Sequence, residues 1–341
     1  MSIAGIKRLV SLSLAYLERS IKANKRSDGL YHAYNLLTNN DQGVKLYHLE
    51  EMLEGQVAAL SSGYLSGPEA LQVLESMRSS DLFRPDQYSY ILYPNKKLPG
   101  FLERNIIPRQ QAESSAFIQQ MVEEGNEKIV EQDSLGAYHF NGNFKNVGDL
   151  ESALDDLVQE GYSKQVEAHR DLLRDLFEQV FNHKAFTGRS GTFYAYEGLG
   201  SIYWHMVSKL LLAVQESCLE AIRNGEDKKI IGKILDHYYE IQAGIGVHKS
   251  PQLYGAFPTD PYSHTPLHRG AQQPGMTGQV KEDVIVRMKE LGIFIAEGRL
   301  RFHPCLLRRE EFLTSEQSFV FLNSKGEKES FSISSDQLFF S

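Results

Sequence analysis

Cysteine is scarce: Cys218 and Cys305 are the only two in the chain. Neither their number nor their wide spacing builds a zinc site or a disulfide framework, so both are expected as buried thiols of a reducing compartment, Cys305 in a strand. An excess of positive charge is also missing, since 36 Lys and Arg face 44 Asp and Glu for a formal charge of −8. A chain of that sign has no general attraction for nucleic acid or an anionic membrane. No apolar run approaches the roughly 20 residues needed to span a bilayer, the densest being Leu210 to Val214. The stretch Met1 to Leu17 is apolar enough to resemble a signal core, but Lys7 and Arg8 interrupt it and no small-residue cleavage site follows. An amphipathic helix and a cytoplasmic location are expected. A fixed-period internal repeat is absent too, which weighs against the common helical solenoids.

What remains is an ordinary globular composition, 41% apolar and 23% charged over 341 residues, enough for one large domain or two ordinary ones. Ile6, Leu9, Val10, Leu12, Leu14, Tyr16 and Leu17 form a stripe at helical spacing that Asp28-Gly29 ends. Similar patterns predict helices over 46–61, 66–79, 110–130, 148–182 with a break at Gly161, 197–224, 226–243 and 277–292. Capping chemistry supports two starts: Ser66 before Pro68 and Glu69, and Thr277 before Lys281 and Glu282. After Gly292 the pattern shortens to alternating runs at 293–295, 300–302, 319–322, 329–333 and 338–340, separated by Gly or Asn turns, which are strands. The expected fold is mainly α, with a helical domain at 1–292 and a small β region at 293–341. The last run stops at Ser341 with no polar tail to protect a sheet edge, so a piece of something longer is expected.

Four stretches are too rich in Gly, Pro, aromatic and polar residues to be plain linkers: 28–35, 83–94, 187–198 and 244–278. Carbohydrate sites use this mixture, because a sugar ring offers an apolar face for stacking and a rim of hydroxyls for polar groups. Glycosidic chemistry adds two carboxyl groups, one protonating the leaving oxygen and one acting as base or nucleophile. Asp260 and Glu197 are the catalytic candidates. His32, Asp86, Tyr196, His248, Tyr262, His264, His268, Arg269 and Gln273 are the substrate-binding candidates. Each carboxylate has a plainer explanation: Asp260 precedes Pro261 and could simply start a turn, and Glu197 in a first helical turn could simply favour the dipole. Asp260 is nonetheless favoured, because Pro258 and Pro261 stiffen its backbone.

His264 and His268 are four apart, but Pro266 lies between them and nothing like HExxH surrounds them, so no metal is expected. With Arg269 they form a cationic group suited to phosphate or a sugar acid. His205 and His237, inside helices, are expected as satisfied core or surface residues. The run Gly188-Arg189-Ser190-Gly191 lacks the GxSxG elbow, and the glycines at 188, 191, 198 and 200 match no nucleotide loop, so no cofactor is expected. Exposed amides after Gly191, beside Arg189, offer a further anion contact.

The C-terminal third resembles the end of large carbohydrate-active enzymes with an (α/α)6 toroid, including glycoside phosphorylases of the cellobiose phosphorylase type. The residues that carry the resemblance are Thr277-Gly278-Gln279-Val280 opening a helix through Leu291, then Glu297-Gly298-Arg299-Leu300-Arg301-Phe302-His303-Pro304-Cys305-Leu306, then strands from Phe319 onward. It implies an incomplete toroid-like helical barrel with a β portion, acting on or binding an oligosaccharide as a hydrolase or phosphorylase, with carbohydrate and phosphate as ligands. The chain departs from that pattern: the Asp-containing acid motif of those phosphorylases is not found, and fewer than twelve helices are predicted. The rival expectation is therefore a non-catalytic helical portion or a glycan- or partner-binding module.

Overall fold

A computed structural model describes residues 2–40, 43–49, 51–95, 97, 99–182, 200–245, 249–254, 264–265 and 279–338. The chain forms two compact units, and the second interrupts the first: Met1–Leu92 and Ile202–Ser341 make one, Tyr93–Ser201 the other. The fold is mainly helical, with small two-stranded antiparallel sheets.

The first unit opens with α1 (Ile3–Ala23), capped by the Ser2 side chain. Its apolar stripe is largely exposed, and Ile21 near its end packs on the core. A hairpin of β1 (Asn35–Asn40) and β2 (Gly43–His48) follows. This corrects the helix expected from residue 46: Val44, Leu46 and the residues around them pair with residues 35–40, and the helix α2 (Leu53–Ser61) starts only after Met52. Helix α3 (Gly67–Ser79) has the expected capping box, with Glu69 accepting from the Ser66 backbone N–H and hydroxyl. A short hairpin, β3 (Phe83–Arg84) and β4 (Ser89–Tyr90), closes this half around a 3₁₀ turn at Pro85–Gln87.

The inserted unit contains α4 (Phe101–Arg104), α5 (Arg109–Ser114), α6 (Ala116–Glu123), the hairpin β5 (Val130–Gln132) and β6 (Tyr138–Phe140), α7 (Val147–Leu157) and α8 (Ser163–Phe181). The expected break falls where the sequence puts it: Gly161 at φ 101° sits in a π turn between α7 and α8. The single helix expected over 110–130 is instead two short helices and a strand, because Ser115 adopts an extended conformation and caps α6. This unit has its own core, built on Phe117, Phe140, Leu150, Leu154, Leu173 and Phe177. Buried Asn105 ties it to the hairpin by donating to the Phe140 carbonyl at 2.7 Å and accepting the Phe140 N–H at 2.9 Å.

Returning to the first unit, β7 (Ile202–Tyr203) leads into α9 (Trp204–Arg223), then α10 (Lys228–Gly244), α11 (Pro251–Tyr254), β8 (His264–Thr265) and α12 (Gln279–Glu290). The tail forms two hairpins, β9 (Ile293–Ala296) with β10 (Arg299–Phe302) and β11 (Gln317–Leu322) with β12 (Lys328–Ile333), close to the predicted runs. Cys305 lies in a turn after β10 rather than in a strand. Helix α9 is the centre of the core: Trp204, Val207, Leu210, Ala213, Val214 and Cys218 are fully buried. Burial pushes the Cys218 thiol up to about 12, so it is an inert thiol at neutral pH.

Candidate functional site

Contacts along α9 fix which helix ends share a level. Ser217 donates to the Leu60 carbonyl, while Met206 and Lys209 share a cavity with Glu54 and Val57, so α2 runs parallel to α9. Helix α12 is also parallel, since His205 faces Glu282, Gln215 donates to the Val286 carbonyl at 2.8 Å and Lys289 pairs with Glu216 at 2.8 Å. Helix α10 returns antiparallel, and α3 runs beside it with Glu75–Lys233 and Arg78–Glu240 pairs. The starts of α2, α9 and α12 and the ends of α3 and α10 therefore lie together. The described parts of the dense stretches meet there: Tyr34 donates to Glu54, the Leu53 N–H to the Leu92 carbonyl, and β7 pairs with β8.

At this end His205 opens α9 with Glu282 and Asp283 opposite it on α12. Nε2 of His205 is 3.7 Å from Glu282 Oε1, and Tyr203 Oη is 3.3 Å from His205 Nδ1. Glu282 is buried, and its Oε2 and His205 Nε2 have no hydrogen-bond partner among the described residues. Burial and the nearby Lys209 charge hold the His205 imidazole below its ordinary value, against the pull of Glu282. Burial and the adjacent Glu282 charge push the Asp283 carboxyl up to about 6. The raised Asp283 carboxyl, adjacent in sequence to the Glu282 that faces His205, can hold a proton near neutral pH. His205 thus corrects the expectation of a satisfied helical histidine. Glu282 is legible in the sequence only as a charge near a helix start and Asp283 not at all, because His205 lies about 80 residues away on another helix.

A second knot lies against Trp204. Asp86 clamps the buried Arg84 guanidinium through Nε and Nη2, at 2.9 and 3.0 Å. Gln87 donates to the Leu253 carbonyl at 2.9 Å and accepts from Lys249 Nζ at 3.2 Å, and that ammonium sits 4.9 Å from the Trp204 ring centroid. Burial and the Arg84 charge lower Lys249 to about 8.

Of the candidates named from sequence, Asp86 is thus engaged in clamping Arg84. His32 stacks on His48 at 4.1 Å and lies 3.3 Å from the Leu49 carbonyl, beside the first hairpin. Burial and His48 hold its imidazole below the ordinary value. The backbone of His264 pairs with Tyr203 in the β7–β8 bridge. Asp260, Glu197, Tyr196, His248, Tyr262, His268, Arg269 and Gln273 lie outside the described residues. Among the described residues no group of His, Cys, Asp and Glu is arranged to hold a metal ion, and no helix is long and apolar enough to cross a membrane. A larger cavity, about 750 Å³, lies toward the opposite end of α9, but its charged pair Lys289–Glu216 is already closed.

Residues 98–184 match the family model described as GH149 phosphorylase insertion domain 2. The matched stretch falls within the compact unit Tyr93–Ser201 that interrupts the helical unit. This supports a glycoside phosphorylase-like relationship for the chain. No curated protein matches it.

Proposed function

We propose that the chain is a carbohydrate-active phosphorylase-like protein whose helical unit carries the reacting site and whose inserted unit is the accessory domain that the family model describes. The observation that carries this is a coincidence of boundaries. The matched stretch is an insertion domain by name, and residues 93–201 are an insertion by topology, entered from and returned to one helical unit. In this reading the helices of the first unit belong to an (α/α) toroid-like barrel, and the reacting end is the one where α9 and α12 begin. An oxygen of inorganic phosphate attacks the anomeric carbon, the glycosidic C–O bond breaks, and the leaving sugar oxygen takes a proton from a carboxylic acid. Asp260 and Glu197 are the proposed carboxyl groups, with Tyr196, His248, Tyr262 and Gln273 around the sugar. His264, His268 and Arg269 supply the charge for phosphate, each charge-assisted hydrogen bond being worth roughly 1.5–3 kcal/mol.

Incubating the whole chain with gluco-oligosaccharides, with and without inorganic phosphate, tests the reading. Sugar 1-phosphate that forms only when phosphate is present supports it, and its loss in Asp260→Asn assigns the acid. Cleavage that ignores phosphate, or no product together with no thermal shift from phosphate or sugar, overturns it.

A further inference from the structure

The ends of α3 and α10 and the β3–β4 hairpin enclose a cavity of about 380 Å³ outside the His205 cluster, within the range of small-molecule pockets. Its walls combine Phe83, Tyr88 and Tyr90 with Arg78, Glu240 and Lys249. Two of the three rings are already engaged: Tyr90 is buried against Phe83 with centroids 5.3 Å apart, and the Arg78 guanidinium covers Phe83 at 3.7 Å. Tyr88 is the open one. It is 61% exposed and held at φ 51°, ψ 37°, a left-handed conformation that an aromatic residue rarely adopts. Its backbone is fixed from behind by α10, because a Cβ on Gly244 would lie 2.2 Å from the Tyr88 carbonyl oxygen. The fold thus holds an exposed ring at the mouth of a cavity.

The second observation is in the cavity wall. Lys249 is 8% exposed, and among the described residues its three N–H donors make one hydrogen bond, to Gln87. A buried ammonium with donors to spare is satisfied by a ligand that brings acceptors. Arg78 and Glu240 offset each other at 4.0 Å, leaving one positive charge in the walls, on Lys249, that the oxygen of a hydroxyl group can meet.

We propose that this cavity is a carbohydrate subsite that takes one neutral pyranose ring of an oligosaccharide, the ring face stacked on Tyr88 and a hydroxyl accepting from Lys249. The proposal rests on the carbohydrate-active reading above and adds the residues that hold a sugar beside the reacting end. Trp204, the only tryptophan of the chain, lies directly under Lys249 and reports on it.

Titrating the whole chain with maltotriose or cellotriose, followed by Trp204 fluorescence and by calorimetry, tests the assignment. The wild type should bind at least one trisaccharide with a change in Trp204 emission. Tyr88→Gly, which removes the ring and relieves the left-handed strain, should weaken that binding about tenfold. Tyr88→Phe should retain it, and Lys249→Met should weaken it while abolishing the fluorescence change. Equal affinity in Tyr88→Gly and wild type, or no response to either trisaccharide, overturns the subsite. Phosphate-dependent product formation is a separate readout, so a chain that makes sugar 1-phosphate yet binds equally without Tyr88 refutes this proposal and leaves the phosphorylase reading standing.

Discussion

Gly244→Ala sets two well-defined effects against each other at the last residue of α10. Replacing Gly by Ala within a helix normally stabilises by about 0.5–1 kcal/mol, because glycine loses more backbone freedom on folding. Here the new methyl would stand 2.2 Å from the Tyr88 carbonyl oxygen, 3.2 Å from its carbon and 3.8 Å from Ser89 Cα. All three atoms are backbone, so no side chain can swing aside, and ordinary contact requires α10 and the hairpin to separate by roughly 1 Å. Overpacking of this kind costs about 1–3 kcal/mol, and contact with backbone places it at the upper end. The net expectation is a loss of about 2 kcal/mol, which for a unit of this size lowers Tm by roughly 4–8 °C. Thermal unfolding followed by Trp204 fluorescence measures it, and trisaccharide affinity should fall in the same variant because Tyr88 moves. A Tm above that of the wild type would mean that helix propensity dominates and that Gly244 does not fix Tyr88.

Asp283 carries a pKa raised to about 6 from 3.8, so its ionisation opposes folding and its contribution to stability is lost as pH rises between those values. Asp283→Asn should therefore be more stable than wild type at pH 8, by about 1 kcal/mol after allowing for its solvent-facing side and seen as a higher Tm, and differ little at pH 4. Lys249 is shifted the other way, to about 8 from 10.5, so the wild type should gain stability as pH rises from 8 to 10.5, and Lys249→Met should flatten that gain of about 1–2 kcal/mol in denaturant midpoints. Asp86→Ala should cost about 1–2 kcal/mol in urea unfolding, by removing the carboxylate that accepts from Arg84 Nε and Nη2. Residues 93–201 expressed alone should melt in one cooperative transition, since their core is self-contained; a broad, non-cooperative melt would contradict that.

Local order was legible in the sequence wherever neighbouring residues settle it. The capping box at Ser66 and Glu69, the break at Gly161 and the two hairpins after Gly292 follow from side chains a few positions apart, so composition and spacing are enough. Residues 46–48 fit the start of a helical pattern as well as the end of an alternating one, and pairing of Leu46, Tyr47 and His48 with residues 35–37 decides for the strand. Two features were settled by the tertiary structure alone. One is that residues 93–201 form an insertion, which depends on Leu92 and Ile202 belonging to one core although they are far apart in sequence. The other is the chemistry at the start of α9. His205, Glu282 and Asp283 carry no motif, and each looks ordinary on its own helix. Parallel packing of α9 and α12 sets Glu282 against His205, and burial there, with the neighbouring Lys209 and Glu282 charges, shifts the proton affinities of the imidazole and the Asp283 carboxyl.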